Sequence, residues 1–275
     1  MSSETIDPLN LPAYLADIAR DQLGETLEIR AAALNELRTK ISELPEKDRL
    51  NDLSDLNLIR FLRLRKLNIE KALKQTIEYK QFYSRFGNEL SELKKGEFLI
   101  FENFLSVLPF RDSAGRVIVV MHPKAGISIF TREFVQENPN AMLRFKVWMF
   151  DRLSFDPEVQ VCGILLFNTF AKLTLWDQMA MSNMAPISHQ LATFQFFQIL
   201  GFRLGGAYIF DQPSFFNLVW ALARPFMSEK IRSRFHLCGS NYEVLKSVVA
   251  NTELLPTFLG GNVEQLGNNW IAQQQ

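Results

Sequence analysis

Four short runs, 116–121, 161–167, 207–211 and 234–238, are rich in Val, Ile, Leu and Phe and show no alternation with polar residues. A strand with one wet face alternates apolar and polar side chains, so runs of this kind describe strands covered on both faces. The segments between them have helix length, which points to right-handed βαβ crossovers. The pattern predicts an α/β body with a mainly parallel sheet from about residue 110 onward.

The first ninety residues have a different period. Ile29, Ala33, Leu37 and Ile41 recur at helical spacing within 26–44, and Pro45 follows as a stop. Ser54 or Asp55 can cap a helix over 56–65. A further helix over 69–86 carries Ala72, Leu73, Ile77 and Phe82 and ends at Gly87-Asn88. We therefore expect a helical domain over 8–90 and an α/β domain over 91–275.

A chain of 275 residues buries roughly 70–75% of its unfolded surface without a disulfide or metal staple. Lys and Arg number 30 against 30 Asp and Glu, so a chain-wide nucleic-acid footprint is disfavoured and any basic site must be a local patch. The 47% hydrophobic content excludes intrinsic disorder. There are 24 phenylalanines against five tyrosines and four tryptophans. This excess of ring without a polar handle describes either a large core or the wall of an apolar cavity. The N-terminus lacks a basic start and an apolar core segment, and no window approaches the ~18 apolar residues of a membrane span. Cys162 and Cys238 stand far apart and no Asn-x-Ser/Thr acceptor occurs, which predicts a reducing, cytoplasmic setting.

Catalytic signatures are missing. There is no P-loop, no G-x-S-x-G elbow and no H-E-x-x-H, and Gly201-Phe202-Arg203-Leu204-Gly205-Gly206 fails the dinucleotide spacing. His122, His189 and His236 are widely separated and lack a second ligand at metal spacing, so each reads as structural. A hydrolase or isomerase using His189 or His236 is the minority reading. No cofactor and no metal are expected.

In the segment 213–223, residues 215–223 are apolar on nearly every face, with Phe215, Phe216, Leu218, Val219, Trp220 and Leu222 around the single polar Asn217. Such a helix is buried or meets lipid, and it is too short to span a bilayer. It suits a lid or a core helix. Phe226, Lys230 and Arg234 then follow at i, i+4 and i+8, with Arg232 nearby, which fits either an interfacial membrane contact or a solvated charged surface.

Two long motifs carry a family resemblance. The run Pro225-Phe226-Met227-Ser228-Glu229-Lys230-Ile231-Arg232-Ser233-Arg234-Phe235-His236, with Gly239-Ser240-Asn241-Tyr242, Leu255-Pro256 and Leu259-Gly260-Gly261, resembles the C-terminal signature of CRAL-TRIO lipid-transfer proteins. Leu58-Ile59-Arg60-Phe61-Leu62-Arg63-Leu64-Arg65 is similar to that family's N-terminal signature. The resemblance implies a helical N-terminal domain, an α/β lipid-binding domain and a mobile helical gate at about 213–223. Carried over by position, Arg63, Arg203, Lys230 and Arg234 would contact phosphoinositide phosphates, and Gly205 stands where relatives often carry an arginine. Met142, Phe145, Met149, Leu165, Phe167, Phe196, Leu200 and Phe202 would line the cavity, closed by Phe216, Val219 and Trp220 of the gate. Asn168-Thr169-Phe170-Ala171 replaces an Asp-x-x-Gly pattern, and Cys238 replaces a histidine.

The resemblance implies no enzyme. It implies a cytoplasmic, transiently membrane-associated carrier of a hydrophobic lipid of the tocopherol, retinoid, carotenoid or sterol class, docking on anionic phosphoinositide membranes. The alternative is a phosphoinositide-dependent adaptor or phospholipid sensor in endosomal trafficking.

Overall fold

The structure is a computed structural model that describes residues 6–90, 97–101, 104–127, 131–184, 186–264 and 270–274. The first five residues, on which the reading of a missing leader rests, and the side chains of Phe215 and Phe226 lie outside the described residues. The chain divides into two compact units, each discontinuous in sequence. One comprises Met1–Ser91, Lys146–Gly163 and Gln195–Arg203, and the other Glu92–Phe145, Ile164–Phe194 and Leu204–Gln275.

The first unit contains helices α1 (Ala13–Leu23), α2 (Leu27–Ser42), α3 (Asp55–Leu64), α4 (Ile69–Arg85) and the short α5 (Gly87–Leu90). The side chains of Thr26, Ser54 and Asn68 accept from the backbone N–H of Ile29, Asn57 and Lys71, capping α2, α3 and α4. Ala33, Leu34, Leu37 and Ile41 of α2 form a core with Leu58, Ile59, Phe61 and Leu62 of α3 and Ala72 of α4. Ile29, expected on the buried stripe, is instead 48% exposed in the first turn. α1 is a helix that the sequence pattern did not predict. It packs Leu15, Ala19 and Leu23 against Val161 and Cys162, which places 146–163 with the helices rather than with the sheet.

The second unit is built on a five-stranded sheet in the order β1-β2-β3-β4-β5. Its strands are β1 (Leu105–Arg111), β2 (Val117–Met121), β3 (Ile164–Thr169), β4 (Leu204–Phe210) and β5 (Phe235–Gly239). β1 pairs antiparallel with β2, and the remaining pairs are parallel. β1 has no counterpart among the predicted runs, because Pro109 and Arg111 disguise it; as an edge strand it tolerates both. The run 161–167 begins in a helix rather than a strand: it ends α9 (Pro157–Val161), and Gly163 turns the chain with φ of 93° before β3 starts.

The remaining helices are α6 (Pro123–Gly126), α7 (Arg132–Glu137), α8 (Ala141–Leu153), α10 (Leu175–Met184), α11 (Ile187–Leu200), α12 (Ser214–Ala223), α13 (Glu229–Arg232) and α14 (Trp270–Gln273). The helical N-terminal region and the mainly parallel α/β sheet are as the sequence predicts.

Candidate functional site

Strand side chains alternate between the two faces of a sheet, so register decides what each face carries. Leu165 and Phe167 of β3 share a face with Ile118, Val120 and Phe210. That face is closed by the C-terminal segment through Leu245, Val249, Leu255 and Leu259. On the other face, Leu166 pairs with Val119 and Ala207, Asn168 with Met121 and Ile209, and Ala207 with Phe235. The Phe235 ring lies 5.2 Å from Trp220 of α12 and 6.0 Å from Phe194 of α11. The face toward α12 therefore carries Leu166, Asn168, Ala207, Ile209 and Phe235. Leu165 and Phe167, expected to line the cavity, lie instead in the filled core on the face opposite α12. A uniformly apolar run does not reveal which parity points where.

α12 is two-sided. Phe216 meets Phe170 at 5.5 Å and Trp220 meets Phe235, with Val219 half-buried, whereas Leu218 and Leu222 are 54% and 41% exposed. α10 presents Leu175, Trp176 and Met179 outward, the indole being 78% exposed. Sequence reasoning missed these α10 residues, although Leu173-Thr174-Leu175-Trp176 offered a signal. On the sheet face toward α12, the amide oxygen Oδ1 of Asn168 is buried and has no hydrogen-bond partner among the described residues.

The other expected cavity residues divide between the units. Met142 and Phe145 belong to the second, where the buried Phe145 stacks on Phe101 at 4.3 Å and also meets Phe98 and Phe104. Met149, Phe196, Leu200 and Phe202 belong to the first and are buried there. Phe196 packs on Phe82 at 4.8 Å, and Phe202 on Phe197 at 5.4 Å. A groove of about 410 Å³ on the first unit is lined by Glu78, Gln81, Arg85, Gln195 and Gln198 beside Phe82 and Ile199, so charged and amide side chains outnumber apolar ones there.

Of the four expected phosphate-contacting cations, Arg63 is corrected. Its side chain is 0% exposed and donates to Glu25 at 2.7 and 2.8 Å and to Gln160 Oε1 at 2.9 Å, so its guanidinium is consumed inside the first unit. Arg203, in the same unit, donates to the Val161 carbonyl and to Gln22 Oε1. Lys230 is exposed on α13, and Arg234 donates to the carbonyls of Leu204 and Gly205 in the second unit. Over Gly205, where no side chain projects, lies the guanidinium of Arg116.

Cys162 and Cys238 are both thiols rather than half-cystines. Among the described residues no group of His, Cys, Asp and Glu is arranged to hold a metal ion, and no helix is long and apolar enough to cross a membrane. His122 stacks on Phe258 at 3.9 Å and His236 on Tyr208 at 4.7 Å.

The profile of the CRAL/TRIO domain matches residues 101–261, which is more than half of the chain. The chain belongs to the CRAL/TRIO domain family, whose members bind and transfer lipids. It is 26% identical over 274 residues to the alpha-tocopherol transfer protein-like protein of Homo sapiens, covering 96% of this chain and 77% of that one. It is 27% identical over 252 residues to clavesin-2 of Homo sapiens, covering 88% and 72% of the two chains. The crystal structure of Sfh5 aligns with a TM-score of 0.48 at 13% identity, over 80% of this chain and 83% of that one.

Proposed function

We propose that this chain is not an enzyme but a cytoplasmic carrier. It binds a hydrophobic lipid of the tocopherol, retinoid, carotenoid or sterol class beneath α12 and moves it between membranes that it visits through a phosphoinositide-binding patch. The observation that carries this reading is the two-sided α12. Phe216 and Trp220 lie over the sheet, while Leu218 and Leu222 offer apolar surface to the outside, alongside Leu175, Trp176 and Met179 of α10. A helix that covers an apolar sheet face and also presents leucines outward is built to exchange one apolar environment for another. Asn168 supports a ligand with one polar end, because a buried amide oxygen without a partner is costly until a hydroxyl donates to it.

Physical chemistry explains why the gate and the membrane patch belong together. At ~0.8 kcal/mol per CH₂, placing about twenty apolar carbons in water costs ~16 kcal/mol, roughly eleven decades of partitioning. Release into water is negligible, so exchange must occur at the bilayer. Lys230 and Arg234 each contribute ~1 kcal/mol near an anionic surface, enough for reversible docking and too little for anchoring.

Organic extraction and mass spectrometry of the purified protein should yield a bound apolar lipid. Lys230→Ala with Arg234→Ala should slow transfer of that lipid from neutral donor to phosphoinositide-containing acceptor vesicles. Unchanged transfer overturns the docking patch. Salt-sensitive vesicle binding with no extractable lipid would replace the carrier by the adaptor or sensor.

A further inference from the structure

β4 begins with two successive glycines after Leu204, and each leaves room that a side chain from elsewhere in the second unit occupies. A Cβ on Gly205 would fall 2.6 Å from Cζ of Arg116, and a Cβ on Gly206 would fall 3.0 Å from the hydroxyl of Tyr208. Arg116 precedes β2 and reaches past the start of β3 to arrive there. Only a glycine at 205 admits it.

One side of the Arg116 guanidinium is fixed: Nε donates to Asp112 Oδ2 at 2.6 Å, and Nη2 forms an ion pair with the same oxygen at 2.5 Å. The other end, Nη1, lies against Gly205 and makes no hydrogen bond among the described residues. Arg234 anchors to the adjoining carbonyls of Leu204 and Gly205 through its own Nη1, which leaves its Nε and Nη2 unused among the described residues. Arg116 and Arg234 both lie near enough to Tyr208 to act on the charge of its hydroxyl. Tyr208 in turn stacks on the exposed His236. Two guanidiniums, a phenol and an imidazole thus gather around β4, with Asp112 the counter-charge bound to Arg116. Each guanidinium is held by one end and offers the other, the geometry that bidentate recognition of a phosphate requires.

We propose that Arg116 is a phosphate-contacting residue that works with Arg234 over Gly205 to bind a phosphomonoester on an inositol ring. The inference rests on the phosphoinositide docking proposed above and names a residue that the family resemblance does not supply. A membrane lipid and a free inositol phosphate can both present this phosphate, and the test separates the two.

Binding of the full chain is measured to phosphatidylcholine vesicles carrying phosphatidylinositol bisphosphate, to vesicles carrying phosphatidylserine, and to soluble inositol trisphosphate. Arg116→Gln is expected to weaken binding to bisphosphate vesicles by about tenfold, the worth of one charge-assisted hydrogen bond, with phosphatidylserine binding little changed. An equal loss with inositol trisphosphate assigns the contact to the phosphate itself, and a loss confined to bisphosphate vesicles assigns it to the membrane-borne head group. The double variant Arg116→Ala with Gly205→Arg puts a guanidinium back in the vacated space from the other strand and is expected to restore binding. If Arg116→Gln binds as the unmodified chain does while Lys230→Ala with Arg234→Ala does not, Arg116 serves Asp112 alone and the inference falls with the docking patch intact. If all variants bind alike, the docking patch falls first and the inference with it. Equal losses on phosphatidylserine and bisphosphate vesicles would reduce Arg116 to general surface charge and overturn the phosphate contact.

Discussion

Arg60 and Arg63 stand three residues apart on α3, so they share a helix face, and both are buried. Arg60 donates to Asp151 and Ser154 at 2.7 Å and lies over the rings of Phe61, Tyr79 and Phe155. Sequence alone offers no way to separate an arginine that waits for a ligand from one that holds a fold together, because both occur in a motif with alternating leucines. Their partners, Glu25, Asp151 and Gln160, lie far away in the chain. A different residue-scale consequence concerns His122. Burial first, and then the nearby Lys172, push its imidazole down to about 4, and its Nε2 is buried without a partner among the described residues. The folded state therefore keeps His122 neutral while the unfolded chain protonates it near 6.5, so stability falls as pH drops from 6.5 toward 4. His122→Asn should flatten this part of the profile. Denaturant midpoints for both proteins between about pH 7 and 5 decide it, and parallel curves would show that His122 does not contribute.

At the scale of elements, α12 makes the clearest claim. Leu218 and Leu222 lie four apart on its outer face and spend little contact energy on the fold, so changing both to Gln should leave the thermal midpoint nearly unchanged. The same pair should weaken partitioning onto vesicles by at least about tenfold, since each leucine that enters lipid is worth ~1.5–3 kcal/mol. A large fall in midpoint would mean that these leucines are packed, and unaltered partitioning would end the case for a lipid-facing gate. The existence of α12 and of four of the strands was legible, because apolar runs bounded by Gly and Pro survive any context. The faces were not. Leu165 and Leu166 are chemically equal in sequence, and only the pairing of β3 with β2 and β4 shows that Leu166 points toward α12 while Leu165 meets Leu245 and Leu255. The same limit hid Arg116, whose meaning depends on the space left by Gly205 some ninety residues later.

For the whole molecule, a cut at residue 90 looks natural in sequence, since helical periodicity stops there and apolar runs begin soon after. The contacts follow another division. Asp151, Ser154, Gln160 and Val161 lie beyond that cut, yet they meet Arg60, Tyr79, Arg63 and the α1 residues Leu15, Ala19 and Leu23. A fragment of residues 91–275 would keep Asp151 and Gln160 while losing the guanidiniums that satisfy them, forfeiting about 1.5–3 kcal/mol for each charge-assisted hydrogen bond. It would also expose Val159, Val161 and Met149, which are 0% exposed in the full chain. Losses of that size consume most of the ~5–15 kcal/mol by which a domain is stable. The fragment is therefore expected to give a broad, non-cooperative thermal transition and to bind a hydrophobic dye, where the full chain melts cooperatively. Adding residues 1–90 as a separate chain should restore cooperative melting, because the missing partners are then supplied without covalent linkage. A fragment that melts sharply on its own, with the same lipid bound, would show that the sheet unit folds independently and that the ties of 146–163 to α1 and α3 are dispensable.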